Sequence, residues 1–300
     1  MGICDGRTVI ITGAARGLGR SYALAFAREG ANVVVNDIGT SLAGEGRDNS
    51  AADAVVAEII AAGGRAIANC EDITDWDASG RLVAAAIEAF GDLHVVVNNA
   101  GVVRDRMFVS ATIDEWDATM RVHLRGHFCT SRHAVDYWRA QQKAGKPVDA
   151  RIINTTSGAG LQGSIAQAAY STAKGGIAAL TLVQAAELRR YGITANALAP
   201  AARTRMTEGA FAEKMAKVEV GFDKQDPDNI APTVVWLGSA ASAHVTGCVF
   251  ELEGGRITIE DGWDLGATVE KEARWDPADV GAAVADLLAR RKPPRAVWGN

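Results

Sequence analysis

Tyr170 and Lys174 stand four residues apart in the run AAYSTAKGG, and Ser157 lies thirteen residues before the tyrosine. On a helix, a four-residue spacing puts the phenol and the ammonium on one face. An ordinary phenol has a pKa near ~10 and is a poor proton carrier at neutral pH. A positive charge beside it favours the phenolate, and each unit by which the pKa falls is worth about 1.4 kcal/mol. Such a pair suits proton exchange with an alcohol or a ketone. That chemistry also needs a hydride carrier held against the same carbon.

The run TGAARGLG (12–19), directly after the apolar Val9-Ile10-Ile11, could hold one. Gly13 permits a tight turn after a strand, and Gly17 and Gly19 let the backbone approach a ligand closely. The helix beyond would offer free N–H groups and a partial positive charge to a pyrophosphate. Asp37 ends the next apolar run, eighteen residues past Gly19. A carboxylate there can accept hydrogen bonds from the adenosine ribose and would repel a 2′-phosphate, which favours NAD over NADP.

These residues need a frame. Short β-branched runs predict strands over 8–12, 32–36, 66–70, 94–98, 151–155, 194–199 and 248–253. Helical patterns fall between them, over 18–29, 51–62, 76–90, 113–133 and 168–190. Alternation of this kind predicts an α/β fold, a Rossmann-type doubly wound sheet of about seven parallel strands with helices on both faces. No Pro/Ser-rich linker divides the chain, so residues 1–255 are expected to form a single domain. Residues 256–300 form an extension containing Trp263, Trp275 and Trp298. Asp276-Pro277 starts a helix there, with Val280, Val284, Leu287 and Leu288 at helical spacing. It is expected to pack on the same domain or on a subunit neighbour.

Composition excludes several classes. The net charge of −5, with both signs interspersed, argues against a nucleic-acid or membrane-surface binder. No apolar span long enough to cross a bilayer and no signal-peptide pattern is present, so a cytoplasmic location is expected. The four cysteines are scattered without a CxxC and read as reduced thiols. His123 and His127 could share a helix face but lack a third ligand, so no metal is expected.

Four further motifs follow the strands in order: NNAG (98–101), Ser157 with Tyr170-x-x-x-Lys174, NALAP (196–200) and TG…GG (246–255). With the opening turn they resemble the short-chain dehydrogenase/reductase family, over roughly residues 6–255. The resemblance implies Tyr170 as acid/base, Lys174 as the group that tunes its pKa and contacts the nicotinamide ribose, and Ser157 as the donor that steadies the substrate oxygen. It implies cofactor contacts from Gly13, Arg16, Gly17, Leu18 and Gly19 at the first turn, from Asp37, and from Asp72 and Ile73 at the adenine. Asn98 and Gly101 match positions framing the adenosine side and the central strand's end, with Asn99 and Ala100 between them as further cofactor contacts, and Pro200 and Thr204 match the stretch that meets the carboxamide. Arg16 points toward NADP, because NADP-using members often carry a basic residue there. Asp37 outweighs it, which leaves Arg16 a surface or pairing arginine.

His123 occupies, in VHLRG, the position of a family Asn that helps order a water relay to the lysine. That role leans partly on a backbone carbonyl, which any residue supplies, and the imidazole could join it. VVVNDIG, VVVNNAGVVRDRMF, RVHLRGHF and APAARTRMT are together similar to the (3R)-hydroxyacyl-CoA dehydrogenase region of peroxisomal multifunctional enzymes type 2 and their bacterial relatives. This implies NAD-dependent interconversion of a (3R)-3-hydroxyacyl-CoA and a 3-oxoacyl-CoA, including branched or steroid-derived thioesters. The alternatives are a 3-oxoacyl-carrier-protein reductase, a hydroxysteroid dehydrogenase, or a non-catalytic NAD-binding regulator. Residues 203–228 have the length of a substrate lid, with Met206, Phe211, Met215 and Phe222 for an acyl chain and Lys214 and Lys217 for phosphates. Ala173, Gly176, Ile177 and Leu180 are expected to bury a second helix face in a homo-oligomer, a tetramer or dimer.

Overall fold

The computed structural model describes residues 2–39, 46, 48, 50–204, 207, 215–218, 220–293 and 295–298. The elements run β1 (Thr8–Thr12), α1 (Gly17–Arg28), β2 (Asn32–Asn36), α2 (Ser50–Ala61), β3 (Arg65–Asn69), α3 (Trp76–Phe90), β4 (Val95–Asn98) and α4 (Ile113–Met120). A π-helical turn (Arg121–Arg125) leads into α5 (Gly126–Lys143), β5 (Ala150–Thr155), α6 (Gly158–Gln162), α7 (Ala168–Leu188), β6 (Ile193–Ala201) and α8 (Ala231–Gly238). The chain closes with β7 (Val249–Glu253), β8 (Arg256–Glu260) and α9 (Pro277–Arg290).

One sheet holds all eight strands in the order β3-β2-β1-β4-β5-β6-β7-β8. Successive residues of a strand face opposite sides, and both sides are apolar. Ile10, Val34, Val96 and Ile152 pack with Leu82, Trp138 and Ile193 in one layer. Val9, Ile11, Val33 and Val97 pack with Phe26, Val234 and Leu237 in the other. A strand buried on both faces has no polar alternation, which is why these segments read as continuous apolar runs. The strand order reverses between β1 and β4. At such a switch point the connections leave in opposite directions and open a crevice at the carboxyl edge of the sheet.

The structure departs from the sequence reading in two places. The first seven strands are parallel, but β8 is an eighth and pairs antiparallel with β7, in register from Val249↔Glu260 to Glu253↔Arg256. The turn between them is Gly254-Gly255, with Gly254 at φ 55. The sheet therefore runs past residue 255. The helix expected over 113–133 is interrupted by the π turn and continues to Lys143. Its start is fixed by a capping box, Thr112 accepting from the Glu115 amide while the Glu115 side chain accepts from the Thr112 amide. Within the single subunit α9 has no buried residue, and Trp263 is fully exposed. Near the end of the chain Trp298 returns to the body and pairs with Ser164.

Candidate active site

The glycine turn is packed rather than merely flexible. Gly13 has φ 64, and a Cβ there would stand 2.7 Å from the Ala100 Cα. The segment after β4 thus crosses directly over the turn after β1. Asn99 fastens the two: its side-chain amide donates to the carbonyls of Thr12 and Gly13 at 3.0 and 3.1 Å. The Thr12 hydroxyl accepts the amides of Asn99 and Ala100 at 3.0 and 3.1 Å. A Cβ on Gly19 would meet the Gly13 carbonyl oxygen at 2.1 Å and the Asn99 amide nitrogen at 2.7 Å. Gly19→Ala adds about 1 kcal/mol of helix propensity, but relieving that collision requires moving the turn, at a cost of about 1–3 kcal/mol. The expected result is a net fall in the urea midpoint together with loss of dinucleotide binding by isothermal titration.

At the end of β2, Asp37 holds the same turn from the other side. Its carboxylate accepts the Ala15 amide at 3.0 Å and the Gly39 amide at 2.8 Å. Asp72 accepts the Thr74 amide at 2.8 Å, closing the turn that follows β3. Arg16 stands close enough to Asp48 for its charge to help hold that carboxyl below the usual range, behind the larger effect of the Ser50 hydrogen bonds.

The reacting groups expected from the sequence gather at the far end. Ser157 is the N-cap of α6 and accepts the Ala159 amide at 3.2 Å. Tyr170 lies in the first turn of α7, hydrogen-bonded to Ser157. Burial raises the Tyr170 pKa above its ordinary value, the Ser157 hydrogen bond opposes this, and the Asp105 charge adds to it. Lys174 is buried, with Nζ 5.6 Å from the Tyr170 ring centroid and donating to the Thr155 carbonyl at 2.7 Å. Burial pushes its pKa down to about 7. The amine spends its proton on a backbone carbonyl and is itself only partly charged at neutral pH.

His123 sits in the middle of the π turn and is 1% exposed. Its Nε2 lies 2.7 Å from the carbonyl oxygen and 3.2 Å from the amide nitrogen of Val102, so either tautomer finds a partner there. The ring stands edge-on to Tyr170, centroids 5.2 Å apart. Burial first, then the Lys174 charge, pushes its pKa down to about 3, which keeps it neutral. A Cβ on Gly101 would come within 2.5 Å of the imidazole, so the NNAG glycine makes room for this histidine. The π turn re-aims the helix side chains at this point.

Lys174 imposes a cost that can be measured. Its amine has an ordinary pKa of 10.5 and a folded value of about 7, so between those values the unfolded chain binds the extra proton. Stability from this group therefore rises with pH across that window. Below pH about 7 both states are charged and the full penalty is felt; near pH 10.5 both are neutral and it vanishes. Lys174→Met is expected to raise coenzyme-free stability by about 2–4 kcal/mol at and below neutral pH. The gain should shrink to nothing as the pH approaches 10, followed by denaturant melts across pH.

Every cofactor and reacting residue named from the sequence except Asn98 lines one cavity of about 690 Å³: Gly13, Arg16, Gly17, Leu18, Gly19, Asp37, Asp72, Ile73, Asn99, Ala100, Gly101, His123, Ser157, Tyr170, Lys174, Pro200 and Thr204. Asn98 lies at the end of the central strand β4. It is fully buried and donates to Ser131 Oγ and Asn154 Oδ1, both at 2.9 Å, so it braces the sheet centre. Asn154 continues inward to Thr181 and Gln184. The sequence reading missed Arg104, Asp117, Arg121 and Thr207, which also line the cavity. Arg121 donates to the Thr74 hydroxyl at 3.0 Å; it stands two residues before His123, inside the stretch RVHLRGHF, which was read for its histidine alone. Of the lid residues, Met206, Phe211 and Lys214 lie outside the described residues; Met215 is buried, and Lys217 and Phe222 are exposed. Among the described residues no cluster of metal-ligating side chains occurs and no helix is long and apolar enough to cross a membrane. The four cysteines are free thiols.

A glycine cradle under a helix N-terminus, a carboxylate at its ribose end and a Ser/Tyr/Lys set opposite fit a nicotinamide dinucleotide. The short chain dehydrogenase family model matches residues 7–215, and the chain belongs to that family of oxidoreductases. It is 41% identical over 293 residues to hydroxyacyl-CoA dehydrogenase ChsB1 of Mycobacterium tuberculosis, covering 96% of this chain and 90% of that protein. It is 43% identical over 269 residues to peroxisomal multifunctional enzyme type 2 of Mus musculus, covering 89% of this chain but 34% of that much longer protein. A crystal structure of a short chain dehydrogenase from Mycobacterium avium superposes with a TM-score of 0.90 at 56% identity, covering all of both chains.

Proposed function

We propose that this oxidoreductase uses NAD to interconvert a (3R)-3-hydroxyacyl-CoA and its 3-oxoacyl-CoA, with Tyr170 as the acid/base. The observation that carries the reading is the convergence of Ser157, Tyr170 and Lys174 at one end of a cavity whose other end is closed by Asp37. A nicotinamide held between the glycine turn and Lys174 would supply the hydride acceptor for the substrate carbon. Ser157 holds the substrate oxygen, and Tyr170 takes the hydroxyl proton as that hydride leaves. Lys174, once charged, stabilises the phenolate and passes the proton on by way of the buried pocket it shares with Thr155 and His123. In reduction Tyr170 is the donor, and its raised pKa keeps it protonated for that role.

Two features support an apolar thioester. The segment before α4 exposes Met107, Phe108 and Val109, the last two by 80% and 94%, beside cavity residues Asp114 and Asp117. The named activity of the Mycobacterium tuberculosis relative is that of a hydroxyacyl-CoA dehydrogenase. A turnover screen with NAD over 3-hydroxyacyl-CoAs of graded length, branched and steroid-derived chains included, tests the reading. Activity confined to a carrier-protein thioester or a free steroid would replace it with one of its alternatives.

We further propose a homo-oligomer, a dimer or tetramer, located in the cytoplasm. Of the residues expected to face a neighbour, Ala173 and Ile177 are buried within the subunit, while Gly176 and Leu180 are half-buried. Phe128 of α5 and Leu180 of α7 line one apolar groove, and Leu182 and Val183 of α7 are exposed as well; these are offered for association.

A further inference from the structure

The connection from Ser157 to Tyr170 runs through α6 and residues 163–167, and it is held from outside on two flanks. On one, the Arg106 amide donates to the Ala166 carbonyl at 2.7 Å, and the Gln167 side chain donates to both Asp105 oxygens at 3.0 Å. On the other lies the end of the chain. The Ile165 amide donates to the Trp298 carbonyl at 2.9 Å, and the Trp298 amide donates to the Gly163 carbonyl at 3.2 Å. The indole covers Gly158, the residue after Ser157; a Cβ there would stand 3.2–3.3 Å from its ring atoms. Upstream, Arg295 donates to Glu260 at 2.8 and 2.7 Å and to Glu251 at 2.7 Å, which ties the tail to the β7–β8 ladder. Ala166, between the flanks, has φ 63, the one positive value at a non-glycine among the described residues. A side chain adopts that conformation only where its surroundings enforce it.

We propose that residues 295–298 form a strap that sets Ser157 against Tyr170, with Trp298 as the positioning residue. The inference rests on the reading of Ser157 and Tyr170 as the reacting pair. Trp298 does not line the cavity. It acts through Gly158 and the 163–165 backbone, on the side of the connection opposite Asp105 and Arg106. Since α9 has no buried residue, the strap is fastened by Arg295 and Trp298 and not by the helix before them.

The test compares the full-length protein with Trp298→Ala, Trp298→Phe, Gly158→Ala and the Gly158→Ala/Trp298→Ala pair. Amide exchange over 158–167, measured without coenzyme or substrate, should quicken about tenfold or more in Trp298→Ala and stay near the wild-type rate in Trp298→Phe. With acetoacetyl-CoA and NADH, Trp298→Ala should lower kcat about 10- to 100-fold. Its KM for NADH should hold while the pH limb belonging to Tyr170 moves, and Trp298→Phe should restore both. Gly158→Ala should slow the enzyme in the Trp298 background and not further in the Trp298→Ala background. Unchanged exchange, a slower rate with an unmoved pH limb, or additive effects of the two substitutions would overturn the strap. If Trp298→Ala does not fold, Gly158→Ala decides: a loss relieved by Trp298→Phe supports the strap, and an unrelieved loss contradicts it. A wild type that reduces no 3-oxoacyl thioester would refute the proposed function, and the exchange measurement would still decide the strap.

Discussion

Tyr170→Phe is expected to bind NAD within about twofold of the wild type and to lose about 10³–10⁴ in kcat, the range for removing a positioned acid/base. In the proposed reading the coenzyme's main anchors are the glycine turn, Asp37 and Asp72, in the turns after β1, β2 and β3, well away from the phenol in sequence. The substitution deletes one oxygen, leaving the ring that His123 touches edge-on. Packing is therefore kept while the proton carrier is lost. Binding by fluorescence titration and turnover by NADH formation separate the two effects. Equal losses in both would mean that the residue supports the cavity instead of the chemistry.

Asp37→Ser is expected to raise kcat/KM for NADP relative to NAD by about 10²-fold, since two like charges about 4 Å apart at a protein surface repel by a few kcal/mol and each 1.4 kcal/mol is a factor of ten. The carboxylate sits at the ribose end with two backbone amides already on it, and an added phosphate would meet its charge directly. Arg16 lines the same end of the cavity. With Asp37 gone it becomes the partner of the 2′-phosphate, so adding Arg16→Ala should erase most of the gain. Loss of the Ala15 amide contact should cost some affinity for both coenzymes, and the ratio cancels it. A ratio that does not change would place coenzyme choice elsewhere.

Much of this was legible in the chain because each signal is local. Val9-Ile10-Ile11 followed by Gly13, Gly17 and Gly19 states a strand, a turn and a helix start in one dozen residues. The parallel strands are buried on both faces, so β1, β2 and β4 appear as unbroken apolar runs. The π turn was not legible, because Arg121–Arg125 carries neither Gly nor Pro before Gly126 and its apolar spacing continues that of a plain helix. Strand β8 was missed because its isoleucines, Ile257 and Ile259, are exposed and bury nothing that would mark it. Asn98 and Asn99 are adjacent and identical in type, yet one braces the sheet and the other the coenzyme turn; only the pleat, which sends neighbours to opposite faces, tells them apart. The docking of Trp298 beside Ser157 joins residues more than a hundred positions apart, which no local pattern encodes.

The central claim is hydride transfer between a 3-hydroxyacyl thioester and NAD with Tyr170 carrying the proton. It is tested most directly with a (3R)-3-hydroxyacyl-CoA bearing deuterium at carbon 3. The account predicts that the deuterium appears at C4 of the nicotinamide, that the rate of transfer falls about 10³–10⁴-fold in Tyr170→Phe, and that the (3S) isomer transfers none. Deuterium released to solvent, or transfer undiminished in Tyr170→Phe, would contradict it.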